Sequence, residues 1–202
     1  MSLFRKIFGS KTDDSKEELK STERGRYMPE IKLPIDEKFT INFKANGGKF
    51  LYCENLNEVY QHLENILEEN QWDRDKVFLI DSNLKSQFEK SNLSSIKNLS
   101  EASFFLTTCE NLIANDGSLL ISSKQIFEKK LPELPENFVV FATTSQLVEN
   151  IGEGLRGIKN NNKQKIPTNI TTIKHFKSSH EKDFLSYGSS SKNLYLLLLE
   201  DL

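Results

Sequence analysis

Few side chains in this 202-residue chain are of a type and setting to do chemistry: two cysteines, three histidines and a carboxylate in a glycine turn. Cys53 and Cys109 are too few to supply the four ligands of a structural zinc or an iron–sulfur cluster, and they exclude a disulfide scaffold. Cys109 is followed by Glu110 in Thr107-Thr108-Cys109-Glu110. A reactive thiolate needs a base or a positive field beside it, so an adjacent carboxylate points to a buried, small apolar role. Asp116 lies in Asn115-Asp116-Gly117. There an Asp is first of all a turn former, and no second carboxylate at fixed spacing makes it half of an acid–base pair. His175 directly follows an apolar strand pattern. That position suits a base or an anion ligand as well as an ordinary hydrogen-bonded surface histidine.

The familiar nucleotide, nucleophile-elbow and zinc signatures are absent. Gly152, Gly154 and Gly157 fall inside a helical pattern in GEGLRG, which reads as close helix packing or a loosened helix and not as a phosphate loop. Net charge is -2, so no global basic field draws the chain to nucleic acid. The charge is uneven, however. Residues 1–155 carry 19 basic and 25 acidic side chains, a net of -6. Residues 156–192 carry Arg156 and seven lysines against Glu181 and Asp183, a net of +6. His175, His180, Ser178-Ser179 and Ser189-Ser190-Ser191 share that stretch. Cations, hydroxyls and free amides together suit a carboxylate or phosphate; the plain alternative is a solvated lysine-rich surface. Aromatic interleaving of the kind that stacks bases is lacking.

These residues need a scaffold, and the hydrophobic pattern supplies one. In 35–48, Phe39, Ile41 and Phe43 alternate as a strand would, while Ile35, Phe39 and Phe43 follow a helical period; Pro34 before it and Gly47-Gly48 as a stop favour a helix. Another helix is expected over 56–70, opened by Asn55 with Glu58 three residues on. A short helix is expected at 84–90, and another, capped by Ser145, running through Leu147, Val148, Ile151 and Leu155 to about 160. Strands are expected at 49–53, 77–80, 102–106, 138–142, 170–173 and 194–199, with a hairpin at 112–121 turning on Asn115-Asp116-Gly117. Alternating strands and helices predict an α/β fold: a mostly parallel sheet flanked by helices, with a β-hairpin insertion. The unbroken apolar run at 194–199 fits a strand buried on both faces, and ligands of such sheets sit beyond the carboxyl ends of the strands.

Residues 1–34 read as a mobile arm and 35–202 as the folded domain, because 10–34 are polar and carry Pro29 and Pro34. Leu3, Phe4, Ile7 and Phe8 lie on one helical face, so residues 1–9 could touch a membrane surface weakly or a partner groove, or simply fray. The longest apolar run is far below the roughly 20 residues of a spanning helix. With no export signal, a cytoplasmic location is the expectation.

Three segments together resemble the LUD-domain family, typified by lactate-utilisation protein C: TTCENLIANDGSLLIS at 107–122, LPENFVVFA at 134–142 and GSSSKNLYLLLLED at 188–201. They are similar to the family's T-G-A-D-x-L-I-A-E-T-G-T-L-V-L hairpin, its L-P-x-x-H-I-V-V-V strand and its G-V-H-G-P-x-E-L-H-V-I-L-L-D ending. The resemblance implies a fold like that of ribose-phosphate isomerase and the coenzyme A transferases. It also implies work beside iron–sulfur partner proteins in oxidising L-lactate to pyruvate. This chain departs from the pattern at Asn115, where the family has Glu, at Asp116, where it has Thr, and at Ser189, where it has His.

The ligand-binding candidates are therefore Thr107, Glu110, Asn115, Asp116, Gly117, Ser118, His175, Ser178, Gly188 and Ser189, with Asp116 and His175 as the catalytic candidates. No metal and no cofactor is expected. The first functional expectation is an accessory, non-redox subunit of L-lactate or related hydroxy-acid oxidation with a pocket for a small anion. The alternatives are an isomerase- or transferase-like enzyme acting on a phosphorylated or CoA-linked anion, and a non-catalytic interaction module.

Overall fold

The computed structural model describes residues 33–176 and 192–201. Residues 1–32 of the expected 1–34 arm, including its helical face, lie outside these residues, as do Ser178, Gly188 and Ser189. In chain order the elements are α1 (Ile35–Ala45), β1 (Lys49–Cys53), α2 (Leu56–Asn70), β2 (Val77–Phe78), α3 (Ser82–Gln87), β3 (Phe104–Thr108), β4 (Asn111–Ile113), β5 (Ser118–Ile121), α4 (Ser123–Ile126), β6 (Asn137–Thr143), β7 (Leu147–Val148), α5 (Ile151–Asn161), β8 (Thr171–Ile173) and β9 (Asn193–Leu199).

Local chemistry explains most of these bounds. Asn55 caps α2, its side chain accepting the Glu58 amide at 3.1 Å, and Asp81 caps α3 by accepting the Asn83 amide at 2.8 Å. Helix α1 has Asp36 and Glu37 in its first turn and Lys44 in its last, as the helix dipole favours. It buries Phe39 and Phe43, stacked with centroids 5.3 Å apart.

Five strands, in the order β1-β9-β6-β3-β2, form an all-parallel sheet. The apolar run at 194–199 lies in β9, an interior strand between β1 and β6, and residues 194–198 are all buried, as an apolar strand enclosed on both faces requires. On one face Leu106, Val139, Tyr195 and Leu197 meet Val59, Leu63, Ile66 and Leu67 of α2. Elsewhere Phe78, Phe105 and Phe138 form an aromatic ladder with successive centroids 5.1 Å apart. The expected hairpin is present, but within a second, four-stranded mixed sheet in the order β7-β4-β5-β8.

One helix start is corrected. Leu147 and Val148 are a strand lying parallel to Leu112 and Ile113, and α5 begins only at Ile151. Its cap is Asn150, whose side chain accepts the Glu153 amide at 3.0 Å; Ser145 instead bonds Asp201. Both apolar periods fitted the sequence here, and pairing with β4 decides between them. Within α5, Gly154 matches the close-packing expectation, since a Cβ there would lie 2.9 Å from the Leu120 side chain, whereas Gly157 faces open space. No helix among the described residues is long and apolar enough to cross a membrane.

Candidate functional site

The hairpin turn does not stand free: it is seated on α1. Lys38, Asn42 and Asn46, spaced four apart on one helical face, each reach it. Lys38 Nζ donates to Asn115 Oδ1 at 2.5 Å, Asn42 Nδ2 to the Ala114 carbonyl at 2.8 Å, and Asn46 Nδ2 to the Asp116 carbonyl at 2.7 Å. Lys38 also pairs with Glu149 at 2.6 Å, tying the turn to the segment before α5. Gly117 has φ +65°, and a Cβ there would lie 2.4 Å from backbone atoms of Asn42 and Phe43. Only glycine meets both demands, the left-handed backbone and the close approach.

Asp116 is engaged on both oxygens. Its Oδ1 accepts the Ser118 hydroxyl at 2.6 Å and the Ser118 amide at 3.2 Å, while Oδ2 lies 3.8 Å from Lys174 Nζ. Lys174 follows β8, whose Ile173 pairs with Leu119 of β5, so the sheet register brings the 174–176 segment to the turn. Phe176 completes the arrangement: its amide donates to the Asn46 carbonyl at 3.1 Å and its buried ring lies 4.9 Å from that of Phe43. His175 is exposed between them, and its backbone carbonyl accepts the Lys192 amide at 3.4 Å. Asn115, Asp116, Gly117 and Ser118 thus form one turn, and His175 lies in the segment whose neighbours Lys174 and Phe176 reach that turn and the end of α1.

Thr107 and Glu110 are placed elsewhere. The three-residue length of β4, roughly 10 Å of strand, separates Glu110 from the turn. Glu110 Oε1 accepts the buried Ser122 hydroxyl at 2.6 Å and lies 3.9 Å from Lys124 Nζ, so this carboxylate holds the entry to α4. Thr107 is buried within β3.

The carboxyl ends of the parallel strands, where ligands of such folds usually sit, carry acids. Tyr52 donates to Glu200. Asp201 accepts the Thr144 hydroxyl at 2.8 Å, and the Ser145 amide and hydroxyl at 2.8 and 2.6 Å. Burial pushes the Asp201 carboxyl up, but bonds from Ser145, Thr144 and Thr143 outweigh this and hold it at about 2. Gln146 Nε2 donates to the carbonyls of Cys109 at 2.6 Å and Glu110 at 3.3 Å, fastening β3 to the end of β6.

Both thiols are buried. Burial, with Glu58 nearby, pushes the Cys53 thiol up to about 12, and burial with Glu110 pushes Cys109 well above the ordinary thiol range. The basic block of the sequence is also divided. Lys174 faces Asp116, whereas Lys192 is buried, its Nζ donating to the carbonyls of Leu134 and Pro135 at 2.8 and 2.9 Å. Among the described residues, no group of three or more His, Cys, Asp or Glu is placed to hold a metal ion. Lys174 and His175, exposed beside a turn clamped by α1, offer donors for a small carboxylate. Asp116 Oδ1 is committed to Ser118, so a base role would fall to Oδ2, beside Lys174.

Sequence reasoning missed the clamp itself. Its signal was the Lys38, Asn42, Asn46 stripe beside the Phe39, Phe43 stripe, which reads as solvated until a partner is known.

The family model described as LUD domain matches residues 37–199. Among solved structures, the fold is similar to that of a DUF162 family protein from Deinococcus radiodurans, with a TM-score of 0.58 and 12% sequence identity over 82% of this chain and 96% of that one. A search of curated proteins gives no match.

Proposed function

Because the chain belongs to the LUD-domain family, which is associated with lactate utilisation, we propose that it is a non-redox accessory subunit of L-lactate or related 2-hydroxy-acid oxidation. In this reading iron–sulfur partner proteins carry the electrons, and the Lys174–His175 segment beside the Asn115–Ser118 turn receives the small carboxylate.

The state of the two cysteines carries the reading. Electron transfer through this chain's own sulfur would need accessible, ionisable thiols, and burial holds both as thiols at neutral pH. Two cysteines fall short of the four thiolates of an ordinary iron–sulfur cluster, and among the described residues no group of His, Cys, Asp and Glu gathers around them, so in this reading the redox centre belongs to another chain. Lys174 supports the second part: it is 44% exposed and its ion pair with Asp116 is loose at 3.8 Å, so a competing carboxylate meets little resistance.

Native purification tests the proposal. The chain, isolated from cells grown on L-lactate, is expected to bring down a brown protein containing iron and acid-labile sulfide. Elution alone, without iron, under conditions that preserve lactate oxidation in the extract would overturn it.

A further inference from the structure

Apart from the turn cluster, a cavity of about 260 Å³ lies between β1 and α2, and it shares no lining residue with that cluster. Its polar lining comes from Lys49, His62, Asn65, Glu69 and Tyr195, over an apolar floor that includes Leu51 and Ile66. Lys49 opens β1 and is the register partner of Tyr195 in β9, so the sheet itself sets the two side by side.

Tyr195 is only 3% exposed, yet its hydroxyl has its partners already: Lys49 Nζ at 2.6 Å and Asn70 Nδ2 at 2.8 Å. The same ammonium sits 4.1 Å from the Tyr195 ring centroid. Lys49 is therefore fixed at two points, by the phenol oxygen and by the ring face. An ammonium has three donors, and among the described residues Lys49 uses one of them, on the Tyr195 hydroxyl. Along α2, His62, Asn65 and Glu69 follow helical spacing on one face. Among the described residues, the side chains of His62 and Asn65 have no hydrogen-bond partner, and Glu69 has no ion pair.

A half-buried ammonium held in place with donors to spare, beside an unengaged imidazole and amide, is an arrangement for a group rich in acceptors. The volume falls below the roughly 300–1,000 Å³ of drug-sized ligand pockets, which selects a compact one. Glu69 opposes a negative ligand from the exposed side, but Lys49 and the donors of His62 and Asn65 outnumber it. We infer that this cavity is a second ligand site, binding a small oxyanion through Lys49 with His62 and Asn65. The inference does not depend on the proposed role in lactate oxidation.

The test is an NMR titration of the full chain with labelled histidine, using sodium acetate in one arm and inorganic phosphate in the other. The ring signal of His62 is expected to shift saturably in at least one arm. Acetate alone marks a carboxylate site, and phosphate alone a phosphate site. Lys49→Gln should weaken that binding at least tenfold, whereas Lys159→Gln, on an exposed lysine outside the cavity, should leave it unchanged. Because Lys49 also supports Tyr195, His62→Asn followed by calorimetry with the same anion gives an independent variant, expected to bind at least tenfold more weakly. Non-saturating shifts in both arms, or equal binding by the wild-type chain and both variants, would overturn the inference. The separate signal of His175 reports the turn cluster, so failure of one site is distinguishable from failure of the other.

Discussion

The side-chain amide of Asn46 donates to the backbone carbonyl of Asp116 over 2.7 Å, and the carbonyl of the same Asn46 accepts the amide of Phe176 over 3.1 Å. One residue at the end of α1 therefore joins the hairpin turn to the segment after β8, and so positions Asp116 relative to His175. The junction adds to the β5–β8 ladder, the Lys174–Asp116 ion pair and the Phe43–Phe176 ring contact, which link the same two segments.

Gly117→Ala tests how tightly the turn is seated. The new methyl would meet the backbone of Asn42 and Phe43 from a left-handed conformation. The expected loss is about 3 kcal/mol, combining overpacking with backbone strain. Urea unfolding measures it, and a loss under about 1 kcal/mol would mean that the turn can lift off the helix.

Asn55→Ala removes the cap of α2 and should cost about 1 kcal/mol by the same assay. Glu58→Gln, which keeps a side chain able to bond the preceding backbone, should cost less.

The thiols should be inert in the native state. Cys53, pushed up to about 12, and Cys109, higher than its ordinary range, carry almost no thiolate at pH 8. Ellman's reagent is expected to titrate no sulfur in native protein and two per chain in guanidinium. Rapid native reaction at either position would contradict the assignment of both as packing residues.

Acid should loosen the carboxyl end of the sheet. The Asp201 carboxyl is lowered from 3.8 to about 2 in the folded chain. Its contribution is therefore complete above about pH 4 and is lost as pH falls towards 2. Asp201→Asn should flatten the pH dependence of the melting temperature between pH 4 and 2, with little change at pH 7 beyond the loss of hydrogen bonding. Because the carboxylate is exposed, the effect is small, and a parallel pH dependence in the variant would assign the acid sensitivity to other groups.

How much of this was legible in the sequence depended on how local the cause was. The Asn115-Asp116-Gly117 turn, the Asn55 cap and the unbroken apolar strand β9 all announce themselves within a few residues, and the structure has each. The second sheet does not. Leu147 and Val148 fit a helix period as well as a strand, and only contact with Leu112 and Ile113 settles it. Glu110 resembled a site residue by its place after β3, but its partner Ser122 lies 12 residues on, across the hairpin. The Lys38, Asn42, Asn46 clamp was invisible because polar side chains on a helix look solvated until something else in the fold lies against them. Lys192 looked like part of a basic surface, and the carbonyls that bury it come from residues 134 and 135.

The most direct test of the central claim is complementation of L-lactate oxidation in a strain lacking this chain, using a variant with both sulfurs removed, Cys53→Ala with Cys109→Ala. As a non-redox accessory subunit, the cysteine-free chain should restore L-lactate-dependent dye reduction in extracts to within about twofold of wild type, corresponding to no more than about 0.4 kcal/mol. Loss of oxidation by a variant that still folds and still co-purifies with its iron–sulfur partner would contradict the account, because it would place the electron path through this chain's own thiols.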